Sequence, residues 1–112
     1  MKPEEKLSRD VRHAIEMVGG YIFSTEQGYR RERGGTRQTR GIPDLIIFVK
    51  QHFTFVELKA GRNLPNPAQL RFGDYCNRAG IPWQIWRSVF DCKSWLIEIG
   101  VVEDDRGPEA GR

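Results

Sequence analysis

Two carboxylates and one ammonium carry the chemistry that this chain advertises. Gly41-Ile-Pro-Asp44 leads into the apolar run 45–49, and the run 53–58 carries Glu57 and is closed by Lys59. Both runs are rich in β-branched and aromatic residues with a short polar break between them, which reads as a β-hairpin with strands at about 44–49 and 53–59. If the loop is Lys50-Gln51, Val49 faces His52, and counting back along the ladder sets Asp44 opposite Glu57. Glu57 and Lys59 are two residues apart and share that face. Like charges facing across a ladder destabilise it. A divalent cation held between Asp44 and Glu57 is the simplest compensation. The plain alternative is a surface salt bridge from Lys59 to one of the acids. Apolar residues on both sides of the run, Leu45, Ile47 and Val49 against Ile46 and Phe48, argue instead for burial on both faces, where an acid pair is costly.

The elements that must position these groups follow from period and punctuation. Leu7, Val11, Ala14, Ile15 and Val18 repeat with helical spacing over 4–18, with Pro3 ahead and Gly19-Gly20 behind. A short strand follows at 21–25. Residues 27–41 show no periodicity and read as a long loop, of the kind that inside a compact domain is usually functional or disordered. After the hairpin, 60–67 is a turn-rich connection, and a helix over 67–79 sets Gln69, Phe72, Cys76 and Ala79 on one face before Gly80. Trp83 to Arg87 is a strand. Ser88 and Asp91 mark a capped helix start, with Val89, Cys92, Leu96 and Ile99 as its stripe; the alternative is an edge strand over 95–99. The order is that of an α/β domain, a central mixed sheet flanked by helices, spanning 1–102. The tail 103–112 is expected to be disordered.

The chain has 112 residues, 38% hydrophobic and 29% charged, which suits one modest core. No apolar run could span a bilayer and no signal peptide is visible, so a cytoplasmic protein is expected. Cys76 and Cys92 are too few for a disulfide framework and, with His13 and His52, do not resemble a zinc site. The net charge is only +3, but Arg30, Arg31, Arg33, Arg37 and Arg40 cluster in one loop just before Asp44. Arginine grips phosphate with a planar fork of donors, so this loop points to nucleic acid, with a solvated charge run as the alternative. Arg62 is a further phosphate-contact candidate. Trp83, Trp86 and Trp95 are read as core residues rather than base-stacking ones, and His52 as a loop residue.

The pattern Pro43-Asp44, then Glu57-Leu58-Lys59, resembles the PD-(D/E)xK nuclease superfamily. Together with Gly41-Ile-Pro-Asp44, Val56-Glu-Leu-Lys59 and Pro67-Ala-Gln69, it looks like the VRR-NUC (virus-type replication-repair nuclease) family. The resemblance implies a restriction-endonuclease-like fold, with Asp44 and Glu57 as metal ligands, Lys59 as the third catalytic residue and Gln69 as a motif glutamine. It also implies an acid from the first helix, Glu4 or Glu5, with Glu16 as a further candidate. Independently, phosphodiester hydrolysis calls for hard oxygen ligands to Mg²⁺, or Mn²⁺ in its place, and the Leu58 backbone carbonyl is a further one. The expected function is a metal-dependent DNA endonuclease, with no small-molecule cofactor beyond the metal, working in a bacterial or phage-infected cytoplasm. The alternatives are an inactive nucleic-acid-binding module of the same fold, or a subunit of a larger repair or packaging assembly. Minimal family members look like junction-resolving enzymes, so branched DNA and a homodimer are expected. Val89, Phe90, Trp95, Ile97, Val101 and Val102 are the expected partner surface.

Overall fold

The computed structural model describes residues 2–25 and 41–103. Helix α1, Pro3–Met17, begins with proline at its first turn, where the missing N–H is harmless, and buries Leu7, Val11 and Ile15 on one stripe. Strand β1 (Tyr21–Ser24) precedes the hairpin of β2 (Leu45–Val49) and β3 (His52–Leu58). Helix α2, Pro67–Ala79, crosses to β4 (Trp83–Trp86), and α3, Val89–Glu98, closes the domain.

The four strands form one sheet in the order β1-β2-β3-β4. The first two pairings are antiparallel and β3 to β4 is parallel. Val49 pairs with His52 and Leu45 with Val56, so the hairpin has the two-residue loop and the register that the alternation implies. Lys50 takes a left-handed backbone in that loop, at φ 56°.

Helices α1 and α3 cover one face of the sheet. There Leu7, Val11 and Ile15 meet Leu45, Ile47, Val49, Val56 and Trp86, with Trp95 and Leu96 from α3. Each such aliphatic side chain adds about 1.5–3 kcal/mol on burial. On this side Gln84 donates to the Thr54 hydroxyl (3.2 Å) and accepts from the Trp86 indole (3.1 Å), which satisfies an otherwise buried polar trio. Helix α2 lies on the opposite face, where Phe72 meets Phe55 edge to face with ring centroids 5.4 Å apart. Gly73 lets it close in, because a Cβ there would fall 2.6 Å from the Trp83 ring.

Several expectations change. The hairpin is not buried on both faces: Leu45, Ile47 and Val49 are, but Phe48 is exposed and Ile46 half-buried. The favoured helix reading of 95–99 holds, to Glu98, against the edge-strand alternative, but within the expected stripe only Cys92 and Leu96 are buried, with Trp95 beside them and Val89 and Ile99 half-buried. Ser88 makes no side-chain cap; instead Asp91 accepts from the Arg87 N–H at 2.7 Å. In α2, Ala79 is exposed and Gly73 takes the buried place beside Cys76. The expected C-terminal partner surface is mostly absorbed. Trp95 is buried against Trp86 and Val101 packs on the core, while Val89 and Ile97 are half-buried, which leaves Phe90 and Val102 exposed. The tail expected to be disordered lies outside the described residues except for Glu103.

Candidate active site

The register of β2 and β3, carried one step past Leu45–Val56, brings Asp44 opposite Glu57. One Asp44 carboxylate oxygen accepts from the Leu58 N–H at 2.9 Å, so the acid is tied to the neighbouring strand beside Glu57. Glu57 is fully buried on the α2 side, and neither of its oxygens has a hydrogen-bond partner among the described residues. Burial, and then the Asp44 carboxylate, push Glu57 up to about 8, against the opposing pull of Lys59. Lys59 is half-buried just beyond β3, where its N–H donates to the Trp86 carbonyl at 3.0 Å. It forms no ion pair with either carboxylate, so the arrangement is not an idle salt bridge.

The backbone around this pair is pinned from three sides. The Thr25 N–H donates to the Asp44 carbonyl at 3.0 Å, and the Thr25 hydroxyl bonds to the Pro43 and Asp44 carbonyls. Gly41, at φ +85°, lies against the first turn of α2, and a Cβ there would fall 2.4 Å from the Ala68 carbonyl oxygen. That explains the glycine of Gly41-Ile-Pro-Asp44: no side chain fits between this backbone and α2. Arg87 donates to the Gly61 (3.1 Å) and Asn63 (2.7 Å) carbonyls and so holds the turn that follows Lys59. Sequence reasoning missed Thr25 and Arg87 as positioning residues. Both bond to distant backbone carbonyls, a contact that leaves no local pattern.

Gln69 sits in the first turn of α2, where its side-chain carbonyl accepts from the Asn66 N–H at 2.8 Å and its own N–H donates to the Asn66 side chain at 2.9 Å. It therefore serves as half of a capping box beside Gly41, while its amide NH₂ is not used in that cap. Glu4 and Glu5 stand in the first turn of α1, where acids favour the helix dipole, and the Glu5 carboxylate accepts from the Lys2 N–H at 3.3 Å. Among the described residues no three of His, Cys, Asp and Glu come together as a metal cluster, so neither Glu4 nor Glu5 joins Asp44 and Glu57 in this structure. Glu16 is exposed near the far end of α1. Arg62 is exposed in the turn after Lys59. Arg30, Arg31, Arg33, Arg37 and Arg40 lie outside the described residues.

The resemblance in sequence implies a divalent metal, and the residues present fit one. A buried carboxyl with two unpartnered oxygens beside a second carboxylate is a hard oxygen donor set, and the neighbouring acid that favours a proton on Glu57 would equally favour a cation in the proton's place. Trp83 Nε1 is the other buried unpartnered polar atom among the described residues. It stands on α2's packing surface and not with the acids.

A mixed four-stranded sheet with helices on both faces, and an acid pair where its central hairpin opens, defines the α/β restriction-endonuclease-like class. Among solved structures the chain is similar to a VRR_NUC domain, at 25% identity and a TM-score of 0.65, over 88% of this chain and 97% of that one. This likeness supports the VRR-NUC family. No protein-family model matches the sequence, and no curated protein matches it either.

Proposed function

We propose that the protein is a divalent-metal-dependent endonuclease that hydrolyses phosphodiester bonds of DNA, selecting branched structures such as four-way junctions and working as a homodimer. The observation that carries this reading is Glu57, buried and unpartnered opposite Asp44 with Lys59 two residues on. Asp44 and Glu57, with the Leu58 carbonyl, would hold Mg²⁺, or Mn²⁺ in its place. When bound, the cation supplies an acidified water and neutralises charge growing on the phosphate. Hydrolysis forms a bond from water oxygen to phosphorus and breaks the bond to the leaving deoxyribose oxygen, which takes up a proton.

The chain's own groups account for the rest. Lys59 places an ammonium beside the acids, where it orients the attacking water or answers charge on a phosphate oxygen. Asp44 is held in place through Leu58, and Glu57 is shielded from bulk water by its full burial. The arginines of the 26–40 segment, together with Arg62, supply phosphate contacts. The test is cleavage of a panel of linear duplex, single strand, flap and four-way junction with Mg²⁺, Mn²⁺, Ca²⁺ or EDTA. Junction cutting in Mg²⁺ that EDTA abolishes is the expected result. Cleavage in EDTA, or none in any cation, would refute the proposal.

A further inference from the structure

Among the described residues, the sheet face opposite α1 and α3 is only half covered. Helix α2 lies over the β3–β4 half, where it packs Phe72 on Phe55 and Gly73 on Trp83. Over the β1–β2 half, Tyr21, Phe23, Phe48 and Phe53 remain 63%, 52%, 43% and 38% exposed. Tyr21 pairs with Phe48 and Phe48 with Phe53 across the ladder. Ring centroids follow at 6.5 Å, 6.1 Å and then 6.2 Å to Phe55, so one row of rings runs from the edge strand to α2.

We infer that this aromatic face is the self-association surface, on which a second copy of the chain packs face to face about a two-fold axis running along the strands. The inference names the surface of the homodimer proposed above and rests on that part of the reading, not on the reaction. No lysine or arginine side chain stands on this face of the four strands, whereas a surface for nucleic acid needs cations to answer the phosphates. Aromatic enrichment with charge depletion is the composition of a protein interface core. A phenylalanine or tyrosine brings about 150–250 Å², so the four exposed fractions leave an apolar patch of roughly 400 Å², within the range in which a monomer's main apolar patch is often functional. That is about half of what each partner gives to a stable interface of ordinary size, a suitable share for its dry centre. A face of one chemistry also complements itself, as a two-fold contact requires. The apolar groove between α1 and α3, where Met17 and Phe90 are exposed, is concave and cannot fill itself.

Helix α2 fixes the axis. It occupies the outer face over β3–β4, so a copy can reach β1 and β2 only if its own α2 hangs beyond the β1 edge. An axis along the strands achieves this. An axis in the sheet plane but across the strands would drive α2 onto α2. The permitted axis keeps both Asp44–Glu57 pairs at the same end of the dimer, where one two-fold symmetric ligand can meet both.

Light scattering on protein eluting at micromolar concentration in EDTA tests the surface without any cleavage. Wild-type protein should weigh twice the 13.0 kDa chain. Phe48→Glu should weigh one chain with unchanged circular dichroism, while Phe90→Glu in the α1–α3 groove should stay dimeric. Should Phe48→Glu fail to fold, Tyr21→Glu on the edge strand gives the same readout. A wild-type mass of one chain, or a dimer that survives these face substitutions, overturns the inference. Spin labels at Asn63→Cys and Gln51→Cys, at opposite ends of β3, read the axis. Same-position pairs should lie closer across the dimer than mixed pairs, and the reverse order would refute the same-end arrangement. A protein that dimerises this way but cuts nothing would sink the nuclease reading and leave this one standing.

Discussion

Without a divalent cation, Glu57 should make the folded protein's stability fall as pH rises, and Glu57→Gln should abolish that fall. Below about pH 4.5 the side chain is protonated in both folded and unfolded chains, and its ionisation contributes no difference. Between 4.5 and about 8 the unfolded chain releases the proton while the buried carboxyl keeps it. The stability associated with the protonated form is therefore lost progressively as pH rises through the folded value. At roughly 1.4 kcal/mol per pH unit, the gap amounts to about 3 kcal/mol at pH 7 and up to about 5 kcal/mol above pH 8. That is a large share of the roughly 5–15 kcal/mol that holds a small domain together. Glutamine keeps the shape of the side chain, cannot ionise, and can donate to Asp44. The assay is urea unfolding followed by tryptophan fluorescence in EDTA from pH 4.5 to 8.5, wild type beside Glu57→Gln, so that titrating groups remote from the Asp44–Glu57 pair cancel in the difference. The variant should match wild type at pH 4.5 and exceed it by a few kcal/mol at pH 8. Added Mg²⁺ should stabilise wild type by mass action and leave the variant unmoved. A difference that stays flat across this range would refute the claim that Glu57 is held neutral by burial.

Three further outcomes are expected. Asp44→Asn and Lys59→Ala should each remove most cleavage in Mg²⁺ with circular dichroism intact, and the asparagine variant alone should also weaken metal binding by calorimetry; wild-type cutting by either would reject its role. Gly41→Ala should destabilise by about 1–3 kcal/mol, from the left-handed backbone and the contact with the Ala68 carbonyl, and should lower cleavage further by shifting Asp44; a neutral melting temperature would contradict that packing. Replacing Arg37 and Arg40 by alanine should flatten the plot of log affinity against log salt on duplex DNA by up to about two units, and an unchanged slope would make the loop a solvated charge run.

The hairpin was legible in the sequence because two constraints agree there. The alternation of 45–49 fixes which side chains face the core, and a two-residue loop leaves a single register, so Asp44 opposite Glu57 followed by counting. The bounds of α2 were legible too, since Pro67 and Gly80 punctuate it at both ends. What could not be read was sideways placement. The strands are apolar on both parities, and nothing local says that a 13-residue helix will cover β3 and β4 but leave Tyr21 and Phe48 open. That outcome is set by Phe72 on Phe55 and Gly73 on Trp83, contacts between residues far apart in the chain. The same limit applied to α3: its apolar residues looked surplus until the turn after β4 folded Trp95 onto Trp86.

The site itself shows a division of labour that no single motif expresses. The residues expected to do chemistry are poorly satisfied: among the described residues Glu57 has no hydrogen-bond partner, and Lys59 is paired with neither acid. The residues around them are heavily constrained. Thr25 holds the Asp44 peptide, Gly41 admits the first turn of α2, Asn66 and Gln69 lock that turn, and Arg87 fixes the turn after Lys59. A fold relaxed around Glu57 would have turned it toward water or given it a donor. Stiffness of the surrounding backbone is what prevents this, and it keeps two carboxylates in a geometry whose free energy falls only when positive charge arrives. The unfavourable pair and its rigid frame therefore depend on each other: loosening Gly41 or Arg87 should relieve Glu57 and weaken cation binding together.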